Sequence, residues 1–143
     1  MREIEFRGVS MLDFKWVYGA LVRTDYCKPN WEDLENPIIV NNYEIHCRTD
    51  DWSNTYHNIP VIGETVGQYT GLCDKNGQKI YEGDIIKARH NEDYYTVSWE
   101  DGGFHIEDRW GNSLSPKQTA ISRFACEVVG NIYYNSELLK GEE

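Results

Sequence analysis

Apolar and polar residues alternate with a period of two along much of the chain, which is typical of half-buried strands. Near the N-terminus, Ile4 and Phe6 are predicted to share the buried face of a short strand that ends at Gly8. The alternation returns over Phe14–Val22, which predicts two strands or a single strand with a bulge at Gly19. The first residues therefore predict β structure.

The pattern then indicates a second pair of strands. Pro37–Val40 and Tyr43–Arg48 are predicted to form a hairpin through Asn41-Asn42, because Asn accepts positive φ in tight turns. Thr49–Asn58 has no clear period, and Pro60–Gly67 is predicted to be an irregular extended connection at a subdomain boundary.

Turn residues punctuate the second half of the chain at short intervals. Gln68–Leu72 and Gln78–Tyr81 flank Asn76-Gly77, which predicts a hairpin with a type I′ turn, and Glu82-Gly83 predicts a further turn. The remaining apolar runs predict four more strands, at Asp84–Arg89, Tyr94–Trp99, Phe104–Ile106 and Cys126–Ile132.

Helical signals are few. Gln118–Phe124 is a weak candidate for a helix, and Ser136–Lys140 before Gly141 is typical of one N-capped turn. A strand that starts at a sharp Gly turn and is followed by a hairpin is how SH3-like barrels are built. We therefore predict a mainly β fold, with an N-terminal β subdomain (residues 1–66), a small SH3-like barrel or meander (67–143), and one or two short helical turns. The two parts are either separate domains or one intertwined domain.

Charge narrows the range of partners. The 143 residues carry a net charge of −10, with −5 in residues 1–66 and −5 in residues 67–143, and Lys and Arg form no cluster in the sequence. Because binding to a nucleic-acid backbone uses clustered basic residues, nucleic acid is an unfavoured partner. Excess acid favours basic partners and solubility but says nothing about fold.

The cysteines and the hydropathy bear on the cell compartment. The four cysteines are far apart and form no CxxC pair, and no apolar run approaches the ~18 residues of a membrane span. The first residues are charged rather than an apolar signal sequence. We expect a cytoplasmic protein with reduced thiols and no membrane association.

Candidate catalytic and metal-binding residues have simpler structural explanations. His46 and Cys47 are adjacent and would point to opposite faces of a strand, so no metal site and no cofactor are predicted. Cys73 is better explained as a small buried hydrophobe than as a nucleophile. Glu82 and Asp84 flank a turn, where Asp84 is expected to accept backbone hydrogen bonds. We therefore predict no catalytic residue and no enzymatic activity.

The aromatic residues leave two interpretations open. Five Trp and ten Tyr exceed what one small core needs. Exposed aromatic side chains often mark protein interfaces, but they can also cover a thin β core from outside. The candidate interface residues, which fall in segments predicted to be loops, are Trp31, Trp52, Tyr56 and Trp110.

Several short motifs are spread along the whole chain: Arg2-Glu3-Ile4 with Phe6-Arg7, Trp16–Gly19, Glu64–Leu72, Asp74–Gly77, Ile80–Ile85, and Val129–Ile132 with Asn135 and Glu137–Leu139. Together these motifs resemble those of the YopX family of phage and prophage proteins. One departure is Ser136, where the family usually has Pro. The resemblance implies a mainly β, two-part fold that self-associates, with a ring among the arrangements, and an origin in a mobile element. It implies no established activity, so no catalytic residue is carried over.

These observations favour a non-enzymatic, homo-oligomeric accessory protein of a phage or prophage. Its expected partners are other copies of itself and a host or phage protein. Two alternatives stay open: a nucleic-acid-binding SH3-like module, and an acidic decoy of a host DNA-binding protein.

Overall fold

The computed structural model shows two compact units, Glu5–Val66 (the N-terminal unit) and Gly67–Glu143 with Met1–Ile4 (the C-terminal unit). The structure describes residues 3–28, 38–48, 55–88, 93–100, 102–114 and 126–140. For residues 24–28, 38–42 and 113–114 it describes the backbone but not the side chains.

Almost all regular structure in these residues is antiparallel β. The N-terminal unit contains a 3₁₀ turn at Gly63–Thr65 and the strands β1 (Phe6–Val9), β2 (Trp16–Lys28), β3 (Ile38–Arg48) and β4 (Tyr56–Val61). The C-terminal unit contains a 3₁₀ turn at Ser136–Leu139 and the strands β5 (Gly67–Cys73), β6 (Lys79–Tyr81), β7 (Asp84–Ala88), β8 (Tyr94–Glu100), β9 (Gly103–Asp108), β10 (Ser113–Leu114) and β11 (Cys126–Asn131).

The strands of the N-terminal unit lie in the order β4-β3-β2-β1. The end of β1 also meets the end of β4, where Ser10 bridges Val61 and the Ile62 amide donates to the Val9 carbonyl at 2.9 Å. Ile45 and Val61 are fully buried in this unit. The first and last strands of this unit are thus also bonded to each other.

The first strand begins and ends later than the sequence indicates. Ile4 lies outside β1 and is 69% exposed, so the prediction that it shares a buried face with Phe6 is wrong. Gly8 does not end the strand either, because β1 continues to Val9. A Cβ added at Gly8 would lie 2.9 Å from the Cβ of Val61, so close packing rather than a turn explains this glycine.

One unbroken strand replaces the two that the break at Gly19 suggested. Gly19 pairs with Phe6, and Ala20 pairs with His46, without a shift of register at the glycine. A Cβ at Gly19 would collide with the backbone carbonyl oxygen of His46. The single-strand alternative is therefore confirmed, and the bulge is not observed. The glycine lets two backbones approach closely.

The predicted hairpin at Asn41-Asn42 is wrong, because both residues lie inside β3. Asn41 pairs with Asp25, and Asn42 pairs with Thr24. Asn tolerates positive φ but does not require it, so a long partner strand that offers continuous ladder hydrogen bonds overrides the turn preference.

The segment after β3 is more regular than predicted. Tyr56–Val61 is a strand rather than a loop, and Pro60 pairs in it with Glu44. The Thr65 hydroxyl donates to the Ile62 carbonyl at 2.6 Å and accepts from the Val9 amide at 2.9 Å. The 3₁₀ turn is thereby tied to β1.

The C-terminal unit contains the β5–β6 hairpin and a five-stranded antiparallel sheet in the order β10-β9-β8-β7-β11. All the strands predicted after Gly67 are present, which confirms the mainly β prediction, and β10 is an addition in a segment predicted to be loop. In the described residues the five strands form an open sheet rather than a closed barrel. Its apolar core consists of Ile80, Ile86, Ala88, Tyr95, Val97, Ile106 and Cys126.

The β5–β6 connection is a hairpin, but its turn is not type I′. Gly77 has φ +79°, whereas Asn76 does not have the positive φ that a type I′ turn needs at both central residues. The Gly77 amide donates to the Asp74 carbonyl at 3.0 Å, and the Asp74 amide donates to the Gln78 carbonyl at 2.8 Å. This is the three-residue loop in which a glycine follows a type I turn.

The buried Asp74 carboxylate explains why the longer turn is favoured. Its Oδ1 accepts from the Asn76 and Gln78 amides, each at 2.9 Å. Its Oδ2 accepts from the Val128 amide of β11 at 2.9 Å, and the Lys75 amide donates to the Cys126 carbonyl. The turn is therefore bonded to the edge strand of the sheet.

The second turn of the motif behaves as predicted. Gly83 has φ +91°, and the buried Asp84 carboxylate accepts from the Tyr81 amide at 2.8 Å. The expectation that Asp84 bonds backbone at its turn is confirmed.

The C-terminal turn is present with a different cap. The 3₁₀ turn Ser136–Leu139 is preceded by Asn135 at the N-cap position, so Ser136 is not the capping residue. The Asn135 side chain instead accepts from the Asn131 amide at 3.2 Å, and a Cβ at Gly130 would lie 2.6 Å from its Oδ1. The predicted helix at Gln118–Phe124 lies outside the described residues.

Candidate interface sites

Of the four aromatic residues predicted to form an interface, the structure describes Tyr56 and Trp110. Trp31 and Trp52 lie outside the described residues. Tyr56 belongs to the N-terminal unit and Trp110 to the C-terminal unit, and both are well exposed, at 63% and 66%.

Tyr56 begins β4 and stacks on its neighbour in β3. Its ring is parallel to that of His46, with an interplanar angle of 11° and centroids 5.3 Å apart. His46 Nδ1 shares a hydrogen bond of 2.7 Å with the side-chain oxygen of Asn58. The hydrogen bond with Asn58 thus orients the exposed His46 ring against that of Tyr56.

Trp110 lies at the tip of the β9–β10 turn, and the Arg109 guanidinium is 4.5 Å from its ring centroid. The Asp108 carboxylate accepts from the Trp110 and Asn112 amides, each at 2.9 Å. Desolvation alone would raise the pKa of Asp108, but the hydrogen bonds from Asn112, Trp110 and Gly111 outweigh it and lower that pKa. The turn thus holds an exposed Trp and Arg in a defined position.

A further candidate site is the β1–β2 loop (Ser10–Lys15), which the sequence analysis did not identify. Three of its six residues are large, apolar and exposed: Met11, Leu12 and Phe14, at 53%, 70% and 67%. Adjacent exposed apolar side chains in a short loop are unusual for a monomer and are typical of contact surfaces.

Hydrogen bonds fix the conformation of this loop. The Ser10 amide donates to the Lys15 carbonyl at 2.9 Å, and the Met11 amide donates to the Pro60 carbonyl at 2.9 Å. Phe14 has φ +57° and is the only described residue other than glycine with a positive φ. This conformation is unfavourable for a bulky side chain and marks candidate functional positions.

A groove of about 560 Å³ lies beside the loop in the N-terminal unit. Its size is that of pockets that hold small ligands or a few side chains. The lining combines apolar, aromatic and charged groups from the loop, β2, β3 and β4: Ser10, Leu12, Asp13, Lys15, Trp16, Val17, Tyr18, Cys47, Arg48 and Ile59.

The acids of the central motif are part of the framework. Asp74 and Asp84 are buried and accept backbone hydrogen bonds. Burial raises the pKa of Glu82, although a backbone hydrogen bond with Gln68 opposes this shift. These contacts show that Asp74 and Asp84 of the Gln68–Ile86 motif stabilise its turns.

The thiols of Cys47 and Cys126 lie in environments that suppress reactivity. Burial, followed by the charge of Asp74, raises the pKa of Cys126 to about 11, and burial also raises the pKa of Cys47. Cys73 Sγ lies 3.5 Å from the Tyr69 hydroxyl, and this hydrogen bond, together with burial, raises the pKa of Tyr69 to about 12. Since the thiolate is the nucleophile, raised thiol pKa values disfavour covalent chemistry.

Two further kinds of feature are absent from the described residues. These residues contain no group of three or more His, Cys, Asp or Glu placed to hold a metal ion. They also contain no helix that is long and apolar enough to cross a membrane.

Together, the fold and these sites define an antiparallel β protein of two compact units with exposed aromatic and apolar surface. The family model described as YopX protein matches residues 5–140. The chain belongs to the YopX family, which confirms the resemblance noted in the sequence.

A solved structure supports the fold over almost the whole chain. The crystal structure of protein EF1440 from Enterococcus faecalis has a TM-score of 0.54 and 21% sequence identity, and the match covers 98% of this chain and 100% of that one. No curated protein shows significant similarity to the chain.

The sequence does not predict the exposed β1–β2 loop, because its apolar residues resemble those of a buried segment. Met11 and Leu12 are adjacent apolar residues before an alternating run. The Met11 amide donates to the carbonyl of Pro60, a residue distant in sequence, so the loop conformation includes a contact that the local sequence cannot show. The one local signal is Asp13, a charged residue that separates the apolar pair from Phe14.

Proposed function

We propose that the protein is a non-enzymatic, homo-oligomeric protein-binding module whose contact surface is the β1–β2 loop. The observation that carries this proposal is the exposure of Met11, Leu12 and Phe14 in a loop that hydrogen bonds hold in one conformation. Aromatic and apolar anchors that are ordered before binding lose less conformational entropy when a partner arrives.

The charges of the loop support a second copy of the chain as the first partner. Asp13 and Lys15 flank Phe14, so the loop presents both signs of charge beside its apolar tip. In a two-fold contact the same patch faces itself, and Asp13 of one copy would lie near Lys15 of the other. A surface of mixed sign suits such self-pairing better than a patch of one charge.

The remaining parts of the proposal rest on family membership and sequence. We propose a role as a cytoplasmic accessory protein of a phage or prophage, with a host or phage protein as a further partner, from the mobile-element origin that the YopX resemblance implies and from the separated cysteines. The SH3-like nucleic-acid-binding alternative and the acidic decoy stay predictions of the sequence.

Light scattering coupled to size-exclusion chromatography tests the self-association. We expect the wild-type protein to be oligomeric at micromolar concentration, and Leu12→Asp and Phe14→Asp to shift it to smaller species. Both positions are exposed, so the substitutions should leave the fold intact, which circular dichroism can check.

Leu72→Asp is the matched control, because Leu72 is also an exposed leucine but lies in the C-terminal unit. A monomeric wild-type protein would contradict the self-association. Equal dissociation by Leu72→Asp and Leu12→Asp would remove the loop as its surface.

A further inference from the structure

Strand register brings aromatic and basic residues that are distant in sequence onto one face of the N-terminal sheet. Ala20 pairs with His46, and side chains two residues apart on a strand share a face, so Tyr18 lies on the same face as His46. Arg48 lies two residues beyond His46 and pairs with Tyr56. We call this set the aromatic face: Tyr18, His46, Arg48 and Tyr56.

All four side chains of the aromatic face are exposed. The His46 and Tyr56 rings are parallel, at 11°, with centroids 5.3 Å apart, so the outer face of each ring is directed away from the pair. Tyr18 and Arg48 also line the groove of about 560 Å³ described above, together with Trp16. The face therefore combines planar rings, a guanidinium group and a cavity of the size of a small ligand.

We propose that the aromatic face binds single-stranded nucleic acid. Bases of an unpaired strand stack on aromatic side chains of a sheet surface, while cations contact the phosphates between them. Tyr18, His46 and Tyr56 supply the stacking surfaces, and Arg48 supplies a phosphate contact. Stacking tolerates any base, so little sequence preference is expected.

The charge of the protein limits the strength of this binding. Glu44 lies on the same face, since it is two residues from His46 in β3, and the whole chain has a net charge of −10. Repulsion of the phosphates by these acids should weaken binding most at low salt, where charges are least screened, so stacking is expected to be its main source. The sequence indicates no nucleic-acid site because these residues form no cluster along the chain.

Fluorescence anisotropy with a labelled oligothymidylate of about 12 nucleotides tests the proposal, because single-strand sites on β-barrel folds cover roughly 4–16 nucleotides. Measurements at about 0.01 M and about 0.15 M salt separate stacking from charge. Binding at about 0.15 M salt that weakens about 5- to 150-fold in Tyr56→Ala, but not in Tyr56→Phe, is the expected result. Each phosphate contact contributes a negative slope of log K against log salt, so Arg48→Ala should make this slope less negative by about 0.7.

Trp110→Ala is the matched control, since Trp110 is equally exposed but lies in the C-terminal unit. Equal losses in Trp110→Ala and Tyr56→Ala, or no binding at either salt concentration, would overturn the proposal. Competition by AMP as tight as the oligonucleotide would also overturn it, in favour of a free-nucleotide site.

Discussion

Two hairpin connections of similar length, one in each unit, are built on opposite principles. In the Asp74–Gln78 turn the buried Asp74 carboxylate accepts three backbone hydrogen bonds, and a glycine takes the positive φ. In the β1–β2 loop the large apolar side chains point outward, and Phe14 takes the positive φ.

The difference separates residues that build the fold from residues available for contact. A glycine at a positive φ has no steric cost, and a buried carboxylate that accepts hydrogen bonds from three backbone amides stabilises the turn. An exposed Phe at a positive φ has a steric cost and adds no buried hydrogen bond, so a role in binding is the better explanation for Phe14. The motif turn is thus a structural element, and the β1–β2 loop is the better candidate for function.

The largest expected effect comes from removing the Asp74 carboxylate. Asp74→Ala should lower the free energy of unfolding by roughly 3–5 kcal/mol, because it leaves three backbone amides without their acceptor. Urea denaturation measures this change. Asp13→Ala in the β1–β2 loop is the matched control and should cost less than about 1 kcal/mol, since Asp13 is exposed. Similar losses at both positions would abolish the contrast between the two connections.

A paired substitution at the two positive-φ residues should give effects of opposite sign. Gly77→Ala should destabilise the protein by about 1–2 kcal/mol through backbone conformation, because no atom lies within 4 Å of the added Cβ. Phe14→Gly should stabilise it by up to about 1 kcal/mol while weakening self-association. Thermal unfolding and light scattering measure the two effects. Destabilisation by Phe14→Gly would show that the ring supports the fold.

Alkaline pH probes the framework beside the Asp74 turn. Burial and the charge of Asp74 raise the pKa of Cys126 from 9.0 to about 11, so the unfolded chain loses this proton first. The contribution of protonated Cys126 to the free energy of unfolding is therefore complete below pH 9 and is lost as the pH rises toward 11. Tm measured over this range should fall more in the wild type than in Cys126→Ala. Parallel curves would exclude Cys126 as the responsible group.

The smallest effect is expected at the exposed Asp108 turn. The pKa of Asp108 is lowered in the folded protein, so its contribution is present above the usual value of 3.8 and is lost as the pH falls through the lower folded value. Trp110 fluorescence should report this loss below pH 3.8, and Asp108→Asn should remove the transition. A transition that persists in Asp108→Asn would belong to another group.

Sequence predicts the C-terminal unit better than the N-terminal one for a physical reason. Gly77, Gly83 and Asp84 act within their own turns, so local residues determine the element boundaries there. In the N-terminal unit, Gly19 and Asn41 look like turn residues but lie within strands, because their partners are distant in sequence. Local propensity cannot show such pairing.

The candidate sites follow the same division. Exposed aromatic residues could be predicted at Tyr56 and Trp110, but the stacking of Tyr56 on His46 requires the register of β3 and β4. The exposure of Leu12 and Phe14 depends on how β1 meets β4. Sequence therefore predicts which residue types are available and not which of them meet.

The bonds made to β11 have a consequence for aggregation. An edge strand with free amide and carbonyl groups can recruit a strand from another molecule and start a fibre. In β11 the Val128 amide is held by Asp74, the Cys126 carbonyl by Lys75, and the Asn131 amide by Asn135. These backbone groups are satisfied within the chain, so copies can associate through side chains while this edge resists open-ended polymerisation.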